Sequence, residues 1–133
     1  MSADRVTYLD SSAIVKLVVG EPESRALRQF LRRRAPHVSS ALARVEVTRA
    51  VLPLGGAAIE QARTVLGRID LVRITDRVLR SAGELSPPEV RSLDAIHLAT
   101  IGELGRQVAR VVTYDDRLAA AVTAIGWSVA SPA

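Results

Sequence analysis

Val6-Thr7-Tyr8-Leu9-Asp10-Ser11-Ser12-Ala13-Ile14-Val15-Lys16-Leu17 is the stretch that decides how this chain is read. Its first four residues are a short β-prone run that stops at Asp10, which predicts a strand. Ser11 or Ser12 can then cap a helix through about Val19, where Gly20 ends it. Strand, acid and helix follow one another without a linker. The same order returns late in the chain. Arg110 to Tyr114 predicts an apolar strand, and Asp115-Asp116 begins a helix through about Ile125.

Between these two stretches the pattern keeps alternating. Pro22 suits the first turn of a helix to about Arg34 with Leu27, Phe30 and Leu31 on one face, and Pro36 stops it. His37-Val38-Ser39 predicts a strand. Ala41 to Leu52 predicts a helix with Leu42, Val45 and Arg49 at helical spacing, ending near Pro53 and Gly55-Gly56. Ala57 to Leu66 is another helix, Leu71 to Ile74 a strand, and Thr75 or Asp76 caps a helix through about Ala82. Ser86-Pro87-Pro88 is a loop. Ser92 to Leu104 is a helix with Leu93, Ile96 and Ile101 at apolar positions and Gly105 as its stop. Trp127-Ser128-Val129 predicts the last strand. Short strands alternating with helices imply a three-layer α/β/α sandwich with a short, mostly parallel central sheet. No repeat, low-complexity tract or linker divides it, so residues 1–133 are expected to form a single domain.

Composition narrows the chemistry. Hydrophobic residues make up 48% and aromatics 3%, so Val, Leu, Ile and Ala must build the core. There is no cysteine, which removes disulfides, thiolate metal sites and cysteine nucleophiles. No stretch approaches the roughly 20 apolar residues of a membrane span, and the expected setting is soluble and cytoplasmic. The formal charge is +4, with Lys16 the only lysine. A basic chain is drawn to polyanions by counterion release, which makes nucleic acid a natural partner. An arginine- and alanine-rich composition would equally follow from a GC-rich genome, so charge alone decides nothing.

Four acids sit in apolar surroundings. Asp10 follows Tyr8-Leu9, Glu46 stands between Val45 and Val47, Asp94 lies in Leu93-Asp94-Ala95-Ile96, and Asp115 closes the late strand. Taken singly, each could be a salt-bridge partner or a helix-start residue that favours the dipole. Together they point elsewhere. In open parallel sheets the ligand site lies beyond the carboxyl ends of the strands, and Asp10 and Asp115 should emerge at that edge. Two carboxylates about 4 Å apart repel by roughly 4 kcal/mol at an effective dielectric near 20. A hard divalent ion with oxygen ligands relieves the conflict, and magnesium or manganese is the usual choice. Such an ion activates water and neutralises a phosphoryl transition state, so the fitting substrate is a phosphodiester.

At this point the motifs resemble a known family. Tyr8-Leu9-Asp10-Ser11-Ser12-Ala13-Ile14-Val15-Lys16-Leu17 looks like the opening motif of PIN-domain ribonucleases, and more specifically of the VapC toxins of bacterial toxin–antitoxin pairs. Ala43-Arg44-Val45-Glu46-Val47 matches the family's helix glutamate. Leu93-Asp94-Ala95-Ile96-His97-Leu98-Ala99 is very close to its third motif, and Val112-Thr113-Tyr114-Asp115-Asp116-Arg117-Leu118 resembles the fourth.

The resemblance implies a PIN-like fold, a magnesium- or manganese-dependent endoribonuclease leaving a 5′-phosphate and a 3′-hydroxyl, and inhibition by a cognate antitoxin. It also implies a homodimer. Asp10, Glu46, Asp94 and Asp115 become the catalytic acids. Asp10, Asp94 and Asp115 become metal ligands, with Asp116 the rival for the last position. Thr113 is a supporting hydroxyl. Ser11 is placed to hydrogen-bond a site carboxylate or the attacking water. His97 lies on the same helix face as Asp94, where the resemblance favours packing or orienting over ligation. Lys16 reads as ion-paired, and Arg32-Arg33-Arg34 as a solvated helix end.

Two rivals differ in kind. A haloacid-dehalogenase-type phosphohydrolase also opens with a strand-end Asp, but it has a second acid two residues on, where this chain has Ser12. A catalytically silent PIN-fold binding module would keep the fold without a reason to keep four repelling carboxylates.

Overall fold

Thr7, Tyr8 and Leu9 are fully buried, because the strand they form, β1 (Val6–Leu9), is the middle strand of a five-stranded sheet. The computed structural model describes residues 5–133; residues 1–4 of the expected domain lie outside the described residues. After β1 come α1 (Ser11–Val18), α2 (Ser24–Leu31), β2 (His37–Ser40), α3 (Ala43–Val51), α4 (Gly56–Leu66) and β3 (Asp70–Val72). Then follow α5 (Asp76–Gly83), α6 (Ser92–Leu104), β4 (Val108–Val112), α7 (Asp116–Ala124) and β5 (Val129–Ala130). The spatial order is β3-β2-β1-β4-β5, and every neighbouring pair is parallel.

Alternate side chains of a strand point to opposite faces, and the core divides accordingly. Leu9 and Val112 pack with Ile14, Leu27, Val47 and Val65 from α1 to α4. Tyr8, Val38 and Val111 pack on the other face with Leu98, Ile101, Leu118 and Val122 from α6 and α7. This is the expected three-layer α/β/α sandwich.

The order also locates a topological switch. From β1 the chain winds outward to β2 and β3 under α1 to α4, then crosses back through α5 and α6 to β4 on the far side of β1. Strands β1 and β4 therefore send their following helices, α1 and α7, to opposite faces. The crevice beyond their carboxyl ends is where open parallel sheets bind ligands.

Several boundaries move. β4 was expected at Arg110 to Tyr114 but pairs with β1 from Val6↔Val108 to Leu9↔Val112, so it begins and ends two residues earlier. β3 sits over Asp70–Val72 because its partner β2 ends at Ser40, opposite Val72. β5 is Val129–Ala130, later than Trp127. α2 starts at Ser24, after a turn pinned by Ser24 Oγ, which accepts from the Glu21 amide and donates to the Val19 carbonyl. Two helix faces also differ from expectation. Val45 and Leu93 are about half exposed, while Ala43, Val47 and Val51 of α3 and Ala95, Leu98 and Ile101 of α6 face inward. Gly105, at φ 57°, ends α6 in the left-handed region as expected. Among the described residues no helix is long and apolar enough to cross a membrane.

Candidate active site

Each of the four acids sits at the start of a different helix. Asp10 is the cap of α1: its Oδ1 accepts the Ala13 amide at 3.0 Å, displacing the serines expected there. Asp115 is the cap of α7, where Oδ1 accepts the amides of Arg117 and Leu118 at 2.9 and 3.1 Å. Glu46 is in the first turn of α3 and Asp94 in the first turn of α6. α1, α3 and α7 follow parallel strands and α6 leads back to the amino end of β4, so all four helices begin at the carboxyl edge of the sheet. Helix amino ends carry partial positive charge, which offsets part of the repulsion among the acids.

Asp10 is the most deeply held. It is 4% exposed, Ser12 Oγ donates to Oδ1 at 2.7 Å, and Thr113 Oγ1 donates to Oδ2 at 2.7 Å. Thr113 Oγ1 in turn accepts the Asp115 amide at 3.0 Å, tying the two strand ends together. Ser12 Oγ accepts the Tyr114 amide at 2.9 Å and closes the same link from the other side. Burial raises the Asp10 carboxyl above its ordinary range, against the hydrogen bonds from Ser12, Thr113 and Ala13. With Oδ1 filled by two donors and Oδ2 by one, a single lone pair of Oδ2 remains.

Glu46 is half-buried. Its Oε1 accepts from Ser11 Oγ at 2.5 Å and contacts His97 Nε2 at 2.8 Å. Burial pushes this carboxyl up, but the hydrogen bonds from His97 and Ser11 outweigh it and hold Glu46 below the usual range. Ser11 thus meets the first of its two expected roles, bonding a carboxylate. His97, for which the resemblance favoured packing or orienting over ligation, lies with Nε2 2.8 Å from Glu46. Tyr8 Oη closes on the other ring nitrogen at 2.7 Å, and burial, followed by the charge of Asp10, raises the Tyr8 hydroxyl far above its ordinary value.

Asp94 is the open member of the set. No described residue donates a hydrogen bond to it, and burial followed by the charge of Asp115 raises its carboxyl. That pairing also separates Asp115 from Asp116. Asp115 is half-buried and acts on Asp94, whereas Asp116 is exposed on the outer side of the first turn of α7.

Lys16 does not neutralise the group: its ammonium pairs with Glu23 at 2.8 Å and Glu21 at 3.3 Å and lies over the Tyr114 ring. The donors left over are carboxylate oxygens, the hard type that magnesium and manganese prefer. Among the described residues no three acidic or histidine side chains close on one point.

Beside Asp94 a cavity of about 440 Å³ is lined by Arg91 and Arg117 over Val90, Ala120 and Ala121. A larger one, about 700 Å³ around Arg5, Arg106 and Trp127, opens near the start of β4, at the opposite edge from the acids, and none of them lines it. Of the residues that hold the site, Ser12 and Tyr8 were not singled out for it. The doubled serine after Asp10 was the available signal, but only Ser11 was given a role in the site, and Ser12 was read as a possible helix cap.

The PIN domain family model matches residues 7–123. Over 125 residues the chain is 56% identical to Ribonuclease VapC46 of Mycobacterium tuberculosis, covering 94% of this chain and 96% of that protein. Two solved structures share the fold at low identity. One is VapC20 of Mycobacterium tuberculosis, a sarcin-ricin loop cleaving toxin, with TM-score 0.74, 18% identity, and 95% and 99% of the two chains covered. The other is a toxin–antitoxin complex from Klebsiella pneumoniae, with TM-score 0.73, 19% identity and coverage of 96% and 98%. With a family model spanning most of the chain and a close relative matched along nearly its whole length, this chain belongs to the PIN-domain family, in its VapC group.

Proposed function

We propose that this chain is a metal-dependent endoribonuclease, the toxin of a toxin–antitoxin pair, with Asp10, Glu46, Asp94 and Asp115 as its reacting site. The observation that carries the reading is that four carboxylates begin helices at the same carboxyl edge of the sheet, with Asp94 within charge range of Asp115 and Glu46, and each keeps oxygen lone pairs that no side chain or amide uses. The ribonuclease name of the 56% identical relative supports RNA as substrate. Magnesium or manganese, when bound, supplies charge neutralisation and a water of lowered pKa.

The chain's own residues do the rest. Asp10, Asp94 and Asp115 offer the oxygens that hold the ion, with Thr113 fixing Asp10 relative to Asp115. Glu46, kept ionised by its hydrogen bonds, orients the attacking water through Oε2. Arg91 and Arg117, around the cavity beside Asp94, receive the flanking phosphates. Cleavage leaves a 5′-phosphate and a 3′-hydroxyl. The covalent phosphohydrolase rival is disfavoured because Asp10 is immobilised by three hydrogen bonds and Ser12 is one of their donors.

The same reading makes residues 1–133 one cytoplasmic nuclease domain that forms a homodimer and is silenced by an antitoxin, as a toxin must be in its own cell. The test is sequencing of RNA 5′ ends after brief expression in a host cell. Wild type should create new 5′-phosphate ends at a restricted set of sites, and Asp10→Asn should create none. The same new ends from both proteins would refute the assignment.

A further inference from the structure

One oxygen of Glu46 is held from two sides. Ser11 Oγ reaches Oε1 at 2.5 Å and His97 Nε2 lies 2.8 Å from the same atom. A carboxylate only accepts, so the hydrogen between Nε2 and Oε1 belongs to the ring. On the ring's other side Nδ1 is 2.7 Å from Tyr8 Oη, with the two rings edge to face at 85°. In the neutral ring Nδ1 must accept, and the phenol, protonated at ordinary pH, donates. With the ring neutral, donation runs one way, from Tyr8 to His97 to Glu46. Ser39 Oγ on β2 is buried and has no hydrogen-bond partner among the described residues, so it is not part of this line.

A histidine on the inner face of a helix is usually just packed. Here both ring nitrogens are committed, and the side chain is 3% exposed against 22% for Glu46. The ring cannot flip or exchange tautomer without breaking two hydrogen bonds. Tyr8 and His97 come from the central strand and from α6, so the line ties Glu46 on α3 to elements packed on the opposite face. It also consumes Oε1 and leaves Oε2 as the uncommitted oxygen.

We propose that Tyr8 and His97 are positioning residues for RNA cleavage: they fix Glu46 so that Oε2 is the oxygen presented to the reacting site. The proposal rests on the nuclease reading of that site. It predicts that His97→Phe, which keeps the ring volume, lowers kcat about 10- to 100-fold, the usual effect of losing a partner that orients a site ligand. KM for RNA should stay within about twofold, since no substrate contact is lost. His97→Gln, whose amide can donate from near the Nε2 position, should recover most of that loss, and Tyr8→Phe should fall between. A merely structural role would not give this rescue.

An activity-independent readout is nitrogen-15 NMR of the wild-type histidine side chains at neutral pH. The expected result is a slowly exchanging hydrogen on His97 Nε2. An unprotonated Nε2, or wild-type kcat in His97→Phe while Asp94→Asn is silent, would overturn the positioning role alone. Cleavage by Asp94→Asn at the wild-type rate would instead defeat the nuclease reading, whatever the NMR result.

Discussion

Among the four acids Asp94 is the least sheltered, and this gives it a measurable signature. Its carboxyl is raised by burial and then by the charge of Asp115, with no hydrogen bond to compensate. A folded-state pKa above the unfolded one means the folded protein holds the proton more tightly. The stability linked to Asp94 is therefore fully present below the ordinary Asp value of about 3.9 and is lost as pH rises through the raised folded value. Asp94→Asn should accordingly stabilise the metal-free protein at pH 7, by up to about 1 kcal/mol for a partly exposed charge. Urea denaturation at pH 7 and pH 3.5 checks this, and the gain should vanish at the lower pH. The four acids were legible because carboxylates in apolar flanks are unusual, yet the flanks themselves were partly misread. Val45 and Leu93 face solvent, and it is the helix starts that unite the set. Tyr8 escaped notice because a buried tyrosine on a core strand carries no local mark of what its hydroxyl meets 89 residues further along the chain.

At the scale of the element, Asp115 has two duties that substitution can separate. Oδ1 caps α7, and Oδ2 is free for the site. Asparagine caps helices about as well as aspartate, whereas loss of the cap costs roughly 0.5–2 kcal/mol. Asp115→Asn should keep wild-type stability and lose cleavage. Asp115→Ala should lose cleavage and also about 1 kcal/mol of stability, and Asp116→Asn should lose neither. Denaturant midpoints paired with cleavage rates on the three proteins test the assignment, and a silent Asp116→Asn with an active Asp115→Asn would reverse it. Helices and strands were mostly legible from period, capping and proline stops. What moved was set by partners: β4 is fixed by its register with β1, and β3 stops where β2 does. No local propensity contains that information.

For the molecule as a whole, the alternation of strands and helices predicted a parallel sheet with helices on both faces, and the sheet is entirely parallel. The strand order β3-β2-β1-β4-β5 was not legible, because it depends on which way each crossover turns. That order makes the site: only with β1 beside β4 do Asp10 and Asp115 share a crevice and Thr113 bridge them. Deep packing of α1 to α4 on one face and of α6 and α7 on the other then holds Glu46 and Asp94 at the same edge. The most direct test of this account is the initial rate at which the purified protein cuts cellular RNA in magnesium, measured beside Asp94→Asn and beside chelator-treated wild type. The account predicts a loss of at least about 100-fold in both, in line with removal of a principal transition-state stabiliser, with recovery of the chelated protein when the metal is restored. Cutting by Asp94→Asn at the wild-type rate, or undiminished cutting in chelator, would contradict it.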